Sequence, residues 1–558
     1  MKENKKCNKD CLVTLIKGKH MDIIQKAMQK KQHISNREEL NRQTWQDFFQ
    51  AAQHKKVFLF GISTCADYFF EKHHDIRVEG IIDNDVRKQG FYADDFLSGA
   101  VGHPCGHLNI SSMEILRQYR CDDVVILVAS SNFYEQIISQ LEEMGIRECF
   151  VLVIMEAQKR STEKDFTRAI DDLQIRKNYA SQCCQEEMNN RKIVFYSFGT
   201  YSDHGKYITE ALLKLRGDLD IVWLLNDLRT EVPKGVRKIQ AGNWKRYIYE
   251  IETSKMWVYN MIVPDYVIKR PGQIYIQTKH WASITLKKFY LDSATVQDVP
   301  EKVNNWKYNS KIIDYIITGS DFDTESCRRG FDFHKDVWQI GSPRSDVLFR
   351  EKECKEKVCR LYKIKSDKHL LMYAPTYRFD KSKTGYLHES RAIDLDFKLV
   401  KDVLERHFGG EWCILLRLHP SVAKAGAKLL NNDFIIDTGS YEDSEELVSA
   451  CDIMISDYSS IMFEPAFVRK PVFLLALDRE EYIDREFDLL IDYDSLPFPI
   501  AESNEELMHN IEQFNQDEYE KCLCDFMERY GVREDGHAGK RAAELILEQI
   551  EGIKGENR

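Results

Sequence analysis

Proline, glycine and long apolar runs are all scarce in this chain. Of its 558 residues, 12 are Pro and 27 are Gly, which excludes collagen-like and low-complexity proteins. No stretch reaches the roughly 18 apolar residues that a membrane-spanning helix needs. The Lys- and Asn-rich residues 1–10 are followed by no apolar segment, so we expect no secretory signal peptide and a cytoplasmic location.

Paired cysteine motifs and an excess of positive charge are also missing. The 15 cysteines are scattered without a C-x-x-C ladder, which argues against a zinc ribbon and is typical of reduced thiols in the cytoplasm. No carboxylate and histidine set has ligand spacing, so we expect no metal site. Lys and Arg total 79 against 90 Asp and Glu, and a net charge of −11 argues against a nucleic-acid partner.

Apolar segments of strand length alternate with helical segments over most of the chain. One series starts at Val57–Phe60, a second at Ile193–Ser197 and a third at His369–Tyr373. This alternation predicts parallel sheets with crossover helices. The sequence therefore predicts an α/β protein with three Rossmann-like units, of which the last two face each other across a cleft.

Polar side chains follow the predicted strands of the two later units. Open α/β sheets bind ligands at the carboxyl ends of their strands, so these residues are candidates for a binding site. Their histidine, arginine and hydroxyl groups suit an anionic ligand that carries phosphate. The candidates are Ser320, Thr376, Arg378, Arg417, His419, Ser456, Asp457, Ser459 and Ser460.

Ser459 and Ser460 stand where a helix over 461–468 is predicted to begin. Backbone N–H groups and the helix dipole at such a point attract a phosphate, and the hydroxyls add donors. The alternative is that both serines only cap the helix, while Asp457 satisfies a loop.

Two histidines are candidates for proton chemistry. His280 follows a predicted strand and can deprotonate an attacking hydroxyl, although an isolated histidine is more often structural. Strand alternation places Arg417 and His419 on the same side, where the pair can neutralise a phosphoryl group. The alternative for His419 is a buried, hydrogen-bonded side chain beside Pro420.

A series of short motifs in residues 191–530 resembles the CDP-glycerol glycerophosphotransferase family, which comprises teichoic-acid primases and polymerases. The order and spacing of the motifs carry the resemblance across about three-fifths of the chain. They are Gln277-Thr-Lys-His280, Gly319-Ser320-Asp321, Gly341-Ser-Pro-Arg344, Tyr373-Ala-Pro-Thr-Tyr-Arg378, Arg417-Leu-His419-Pro420 and Ser456-Asp457-Tyr-Ser459-Ser460.

The resemblance implies a GT-B fold with its active site between two Rossmann halves. It implies that the donor is a CDP-polyol, with CDP-glycerol as the first candidate. The implied acceptor is a lipid-linked or polymeric polyol phosphate or glycan, and the protein would meet it at the inner leaflet of the membrane. His280 matches the family's proposed base, and His419 matches its second essential histidine. Arg378 and Arg417 would help to hold phosphate charge, and Asp457, Ser459 and Ser460 match the contacts to the donor diphosphate and polyol. Ser320, Thr376 and Ser456 complete the expected donor-binding set.

The predicted domains follow from these patterns together. They are a helical segment (1–52), a Rossmann-like domain of nucleotide-binding type (53–155), a helical linker (156–190), an acceptor half (191–350) and a CDP-donor half (351–558). In the 53–155 domain, Gly61 after a strand and Asp83 at the end of the next resemble dinucleotide binding, without the full G-x-G-x-x-G. The alternative for this domain is a structural or partner-docking role.

This chain departs from the family pattern around its candidate base. The family shows Trp-His-Gly-Thr-Pro-Leu-Lys, whereas here Lys279 precedes and Trp281 follows His280. The departure leaves the acceptor and the polyol open, with CDP-ribitol as an alternative donor. Two further alternatives are a GT-B glycosyltransferase that uses a nucleotide sugar and a nucleotide-binding protein without catalysis. We expect that transfer from a CDP-polyol requires no cofactor.

Overall fold

The computed structural model describes residues 40, 43–156, 172–293, 300–376, 379–380, 385–386, 395–418, 433–480, 482 and 489–552. The chain divides into two compact units. One holds the described residues up to Gln182 together with Asn226–Arg229 and Ile239–Tyr249. The other holds the remaining described residues. Among the described helices, none is long and apolar enough to cross a membrane.

The first unit is built on a parallel sheet of five strands in the order β3-β2-β1-β4-β5. The β-branched run of β4 is buried at every position, which explains why it lies inside the sheet. The strands are β1 (Lys56–Phe60), β2 (Gly80–Ile82), β3 (Ile110–Ser111), β4 (Val124–Val128) and β5 (Cys149–Val151). The helices are α1 (Trp45–Ala52), α2 (Thr64–Lys72), α3 (Ala93–Phe96) and α4 (Tyr134–Glu143), and α5 (Asp172–Cys183) follows in the chain.

The second unit contains two further sheets, and the first of them has seven strands in the order β12-β11-β10-β9-β6-β7-β8. Its strands are β6 (Asn189–Tyr196), β7 (Asp220–Leu225), β8 (Val236–Gln240), β9 (Ser254–Tyr259), β10 (Ile274–Gln277), β11 (Tyr315–Thr318) and β12 (Val337–Gln339). Its helices are α6 (Asp203–Leu215), α8 (Pro300–Ile312) and α9 (Asp321–Phe331), while most of α7 (Trp244–Glu252) falls in the stretch Ile239–Tyr249 of the first unit. We call this part the first half.

The second half carries a parallel sheet of six strands in the order β17-β16-β13-β18-β19-β20, and a separate hairpin. Its strands are β13 (His369–Ala374), β16 (Trp412–Leu416), β17 (Ile435–Asp437), β18 (Ile453–Ser456), β19 (Val472–Leu475) and β20 (Ile500–Ala501), with the hairpin β14 (Phe379–Asp380) and β15 (Gly385–Tyr386). Its helices are α10 (Glu351–Tyr362), α11 (Phe397–Phe408), α12 (Ser444–Ala450), α13 (Phe463–Phe467), α14 (Asn504–Glu512), α15 (Gln516–Tyr530) and α16 (Ala538–Glu551).

All three sheets share one topology. Numbered from its own first strand, each begins with the order 3-2-1-4-5, and the longer sheets continue it. The order reverses between the first and fourth strands, so the loops after these two strands diverge and leave a crevice. In the second half the crevice lies after β13 and β18, which confirms the predicted doubly wound α/β architecture.

Five of the described strands were not predicted from the sequence. β3, β14, β15 and β20 have two residues each, too few for a periodicity to be visible. β8 reads Val-Arg-Lys-Ile-Gln and is only partly buried, so its composition does not stand out from a loop. The helix predicted over 461–468 is also shorter, because a 3-10 turn over Ser460–Met462 precedes the five-residue α13.

The last helix belongs to the core of the first half, although the sequence places it in the C-terminal half. Ala542, Ala543 and Ile546 of α16 are fully buried in the same cluster as Ile193 and Phe195 of β6. The apolar face of α16 is therefore covered by the first half, and the chain returns there after completing the second.

Candidate functional site

A cavity of about 600 Å³ lies between the two halves of the second unit. Its size is within the range of pockets that hold small organic ligands. The first half contributes residues from the segment between His280 and Ser293, and Arg344. The second half contributes residues from the loops after β13, β16 and β18, which include the crevice of its sheet. The cavity is therefore placed where open α/β sheets bind ligands.

His280 is exposed on the cavity wall, while both its neighbours in sequence are buried. Lys279 Nζ pairs with Asp323 Oδ2 at 3.0 Å, and Trp281 Nε1 donates a hydrogen bond to Asp323 Oδ1 at 3.0 Å. Lys279 also adopts a positive φ of 55°. One buried carboxylate thus holds the residues on either side of His280 and turns its side chain toward the cavity.

Arg344 fixes the backbone of the same loop. Its Nη1 donates hydrogen bonds to the carbonyl oxygen of His280 at 2.9 Å and to Asp203 Oδ1 at 3.0 Å. Its Nη2 pairs with Glu445 and with Glu464, the latter at 3.0 Å. Although burial alone would lower it, the pKa of Arg344 is raised by these three carboxylates. Arg344 is therefore a charged anchor that joins the two halves beneath the cavity.

The electrostatic surroundings keep the His280 imidazole neutral. Desolvation by the surrounding protein lowers the pKa of the His280 imidazole below the ordinary 6.5. The positive charges of Arg344 and Lys279 lower this pKa further. The carboxylate of Asp203 acts in the opposite direction without reversing the shift. A neutral imidazole carries a free lone pair at pH 7, which is what a general base needs.

On the opposite wall, Thr376 and Asp457 link the loops after β13 and β18. Asp457 Oδ1 accepts hydrogen bonds from Thr376 N at 2.8 Å and Thr376 Oγ1 at 2.6 Å, and from Tyr458 N at 2.6 Å. Thr376 lines the cavity, whereas Asp457 is buried behind it. Asp457 thus shapes the crevice, and Thr376 presents its surface.

Ser459 and Ser460 both line the cavity, at the start of a shorter helix than the sequence predicts. Ser460 Oγ accepts a hydrogen bond from Leu286 N at 3.1 Å and lies 3.1 Å from Thr285 Oγ1. A five-residue α13 has a weaker dipole than a full helix, so the argument from helix length does not apply here. The serines instead bring hydroxyl groups to the junction of the two halves.

Arg417 lines the cavity and also organises its own half. Its Nη1 donates hydrogen bonds to the carbonyl oxygens of Thr438, Gly439 and Tyr441, at 2.7, 3.0 and 2.7 Å. Burial lowers the pKa of its guanidinium. The loop after β17 is thus held against the cavity by a cation that also faces it.

Besides Asp457, two further sequence candidates of the second unit are not on the cavity wall. Ser320 is fully buried at the start of α9, where its hydroxyl donates to Ser283 O at 2.6 Å and accepts from Asp323 N at 2.9 Å. Ser456 is fully buried at the end of β18 and donates to Ala374 O at 2.8 Å. The polar groups that follow strands include such internal ties, so neither serine is placed to touch a ligand in the cavity.

His419 and Arg378 lie outside the residues that the structure describes. Gly61 and Asp83 belong to the first unit. There Gly61 follows β1 with a φ of +109°, and the Asp83 carboxylate accepts from Ile62 N at 2.6 Å and Asp85 N at 2.7 Å and pairs with Lys88 at 3.2 Å. Asp83 is therefore already engaged by its own loop, and nucleotide binding by this domain stays a prediction.

Two residues that sequence reasoning missed also shape the site. Asp203, at φ +62°, holds Arg344 and receives Asn260 Nδ2 at 2.7 Å, and Tyr290 lies beside His280. A signal for Asp203 was its position just after β6, at the reversal point of the first half. Within the described ranges, no group of His, Cys, Asp and Glu side chains is arranged to hold a metal ion.

Fold and cavity define a two-half, doubly wound α/β protein with a ligand site between its halves. A family model described as CDP-Glycerol:Poly(glycerophosphate) glycerophosphotransferase matches residues 178–548. The chain belongs to this family.

Individual relatives agree with that membership. The teichoic acid poly(glycerol phosphate) polymerase of Staphylococcus epidermidis is 31% identical over 382 residues, 66% of this chain and 52% of that protein. The teichoic acid glycerol-phosphate transferase of Staphylococcus aureus is 27% identical over 380 residues, 64% of this chain and 93% of that protein. The match thus spans about half the length of the S. epidermidis protein and nearly all of the S. aureus one.

A solved structure of the wall teichoic acid polymerase TagF matches 68% of this chain and 95% of its own, with a TM-score of 0.59 and 28% identity. Another TagF structure is that of a variant soaked with CDPG. The shared fold supports the predicted pair of Rossmann-like halves.

Proposed function

We propose that the chain is a transferase that moves a polyol phosphate from a CDP-polyol to a hydroxyl of a polymeric or lipid-linked acceptor. Glycerol phosphate is the first candidate for the transferred group. The product is a phosphodiester, and CMP is released. Family membership and the relatives named for glycerol phosphate support this proposal. The observation that carries it is the placement of His280, which is exposed in the cavity opposite the loops after β13 and β18.

The proposed reaction uses His280 as a general base. The acceptor hydroxyl gives its proton to the imidazole while its oxygen attacks the phosphorus that bears the polyol. The bond from this phosphorus to the bridging oxygen breaks in line, and CMP leaves with the electron pair. The protein's contribution is to position both reactants and to stabilise the phosphoryl charge. The reaction needs no cofactor and no nucleic acid.

The cavity offers positive charge for such a donor. Lys287 and Lys288 line it from the first half, and Arg417 lines it from the second. Arg344 also reaches the cavity, but three carboxylates compensate its charge. We therefore assign the donor diphosphate to Lys287, Lys288 and Arg417, together with the hydroxyls of Thr376 and Ser459. Arg378 and His419 join this set on the family resemblance.

The proposed location is the cytoplasm, at the inner face of the cell membrane where a lipid-linked acceptor would be found. Basic clusters on the chain do not strengthen this proposal. Arg237 is bound by Asp220 and Glu250, and Lys287 and Lys288 face the cavity. The cluster Lys159-Arg160 lies outside the described residues. Peripheral contact with the membrane therefore rests on the acceptor alone.

The test is release of CMP from CDP-glycerol and, in parallel, from CDP-ribitol, with a glycerophosphate-bearing acceptor. We expect turnover of CDP-glycerol and a loss of at least about 100-fold in His280→Ala, because a general base contributes roughly that factor or more. His419→Ala should also abolish release. His334→Ala is the matched control, since this histidine is exposed beside Asp332 and is not part of the cavity wall.

Each outcome has a defined meaning. Faster release from CDP-ribitol would name ribitol as the polyol and overturn the choice of glycerol. Turnover of a nucleotide sugar, with neither CDP-polyol used, would assign a glycosyltransferase instead. A chain that binds no CDP at all in calorimetry would contradict the proposal as a whole.

A further inference from the structure

Tyr290 occupies a backbone conformation that ordinary side chains avoid. It opens the short 3-10 helix Tyr290–Asp292 with a φ of +53°, in the left-handed region that favours glycine. Such strained positions cluster at functional sites, where the surrounding structure holds them. A tyrosine at this position therefore needs neighbouring contacts that offset the backbone strain, and its side chain is expected to have a function.

Aromatic neighbours hold the Tyr290 ring. The ring stacks on Trp306 with centroids 3.5 Å apart and planes at 26°. Phe331 meets it edge-on at 4.9 Å, and Phe289 lies at 5.2 Å. Trp306 and Phe331 are buried, so this packing leaves the Tyr290 ring little rotational freedom. The position of its hydroxyl is thus set by the fold.

The hydroxyl of Tyr290 lies 3.3 Å from His280 Nδ1. In the described part of the chain, no carboxylate hydrogen-bonds the His280 ring, whose polar contacts are the side-chain hydroxyl of Tyr290 and the backbone of Asn260. The charged groups that influence the ring are Asp203, Arg344 and Lys279. Phe198 and Trp281 meet the ring edge-on, at 5.4 and 5.0 Å, and offer it no hydrogen bond.

We propose that Tyr290 is a positioning residue that accepts a hydrogen bond from Nδ1–H of His280 and so leaves the lone pair on Nε2 for the acceptor hydroxyl. A neutral imidazole carries one proton, and the hydrogen bond at one nitrogen decides where that proton resides. The inference rests on the proposed role of His280 as the base. It assigns to a neutral phenol the orienting task that a carboxylate performs in many enzymes.

The proton transfers of the proposed reaction are consistent with this arrangement. Before transfer, Nδ1 holds the proton and Nε2 is free. The acceptor hydroxyl gives its proton to Nε2, its oxygen bonds to phosphorus, and CMP departs with the electrons of the broken bond. The imidazolium then has N–H groups on both nitrogens, and Tyr290 Oη still accepts from Nδ1–H. Burial raises the pKa of Tyr290, so its hydroxyl stays neutral throughout.

The kinetic test compares Tyr290→Phe with Tyr308→Phe. Phenylalanine keeps the ring and its stacking on Trp306 but removes the hydroxyl. We expect kcat to fall about tenfold, the scale of one hydrogen bond, while KM for CDP-glycerol stays constant. Tyr308 is the matched control, because its hydroxyl donates to Val267 O, away from the cavity. Equal kcat for wild type and Tyr290→Phe would overturn the inference.

The spectroscopic test reads the tautomer directly. Nitrogen-15 spectra of histidine-labelled protein, with the His280 signals assigned by their loss in His280→Ala, should show protonation on Nδ1 in the wild type. Tyr290→Phe should raise the population protonated on Nε2, and Tyr308→Phe should not. An Nε2-protonated wild type would refute the role of Tyr290. This readout does not depend on turnover. A wild-type protein without transferase activity would therefore contradict the proposed function without deciding the role of Tyr290.

Discussion

Asp323 shows how a single buried side chain can set the direction of a reactive one. Its two carboxylate oxygens hold Lys279 and Trp281, the residues on either side of His280. These two residues are also where the sequence departs from the family pattern. Removing one member of a buried ion pair costs about 3–5 kcal/mol, so Lys279 and Asp323 depend on each other. The two residues that depart from the family pattern are thus both held by one buried carboxylate in this chain.

The lowered pKa of His280 predicts the pH dependence of the reaction. The base works when its imidazole is neutral, so kcat/KM should be flat at neutral pH and fall only as the pH drops through a pKa below 6.5. The measurement is kcat/KM for CDP-glycerol from about pH 3 to about pH 8, a range that includes both the lowered pKa of about 4 and the roughly 6.5 of free histidine.

Asp203→Asn serves as the comparison for this profile. Asp203 raises the His280 pKa by its charge, so neutralising it should move the acidic limb to still lower pH. A limb centred above pH 6.5 in the wild type would contradict the predicted electrostatics. Circular dichroism at each pH would separate loss of rate from loss of fold.

At the scale of elements, the loop after β10 is tied into the second half. Leu286 N donates to Ser460 Oγ at 3.1 Å, and Leu286 O accepts from Leu490 N at 2.8 Å. The next residue, Lys287, reaches the hydroxyl of Tyr482. This loop therefore acts as one wall of the cavity that both halves hold, and its position depends on side chains distant in sequence.

Ser460→Ala should weaken donor binding without unfolding the protein. The substitution removes the acceptor of Leu286 N and the contact with Thr285 at 3.1 Å. A lost hydrogen bond is worth about 0.5–1.5 kcal/mol, so we expect Kd for CDP-glycerol to rise about 2- to 10-fold. Calorimetric titration measures this change. Ser495→Ala is the matched control, because its hydroxyl only closes a surface 3-10 turn with Asp492 O. Equal affinities for the two variants would contradict the predicted link.

At the scale of the whole molecule, the C-terminal segment connects the two halves through hydrogen bonds. After α15, Arg533 N donates to Gly319 O at 3.1 Å and Ser342 N donates to Glu534 at 3.1 Å. The start of α16 then donates to Asp346, from Ala538 N at 2.9 Å and Gly539 N at 2.7 Å. The side chains of Glu534 and Asp346 thus fix the segment in which the chain returns to the first half.

Glu534 makes the stability of this junction depend on pH. Burial raises its pKa from 4.5 to about 8, and the charge of Asp346 adds to the shift. Between these values the folded state binds a proton that the unfolded state releases. The free energy of unfolding should therefore fall as the pH rises from 4.5 through 8. Glu534→Gln should flatten this dependence, as measured by urea unfolding at several pH values across the window.

The control for this prediction is Glu544→Gln on α16. Glu544 is exposed and faces Lys540 at 3.8 Å, so its substitution should leave the pH dependence unchanged. Asp346, whose pKa burial raises to about 6, remains in both variants and contributes a slope of the same sign. A slope as steep in Glu534→Gln as in the control would contradict the assignment to Glu534.

Local pattern determined much of this fold. The apolar runs at β1, β4, β6 and β13 predicted the α/β class, because each strand is buried on both faces and reads as a continuous apolar stretch. Position after a strand also led to His280, Thr376, Arg417, Ser459 and Ser460, all of which reach the cavity or its rim.

Tertiary structure decided what those positions do. Ser320 and Ser456 follow strands like the others, yet their hydroxyls bond to backbone carbonyls inside the protein. Asp203 contacts Arg344 far along the chain, and Tyr290 contacts His280 from a strained backbone position, and no periodicity in the sequence marks either contact. Strand-end position is a local property that sequence displays. Hydrogen-bond partners and charge environments arise only when distant segments meet, because they depend on distances that the chain acquires on folding.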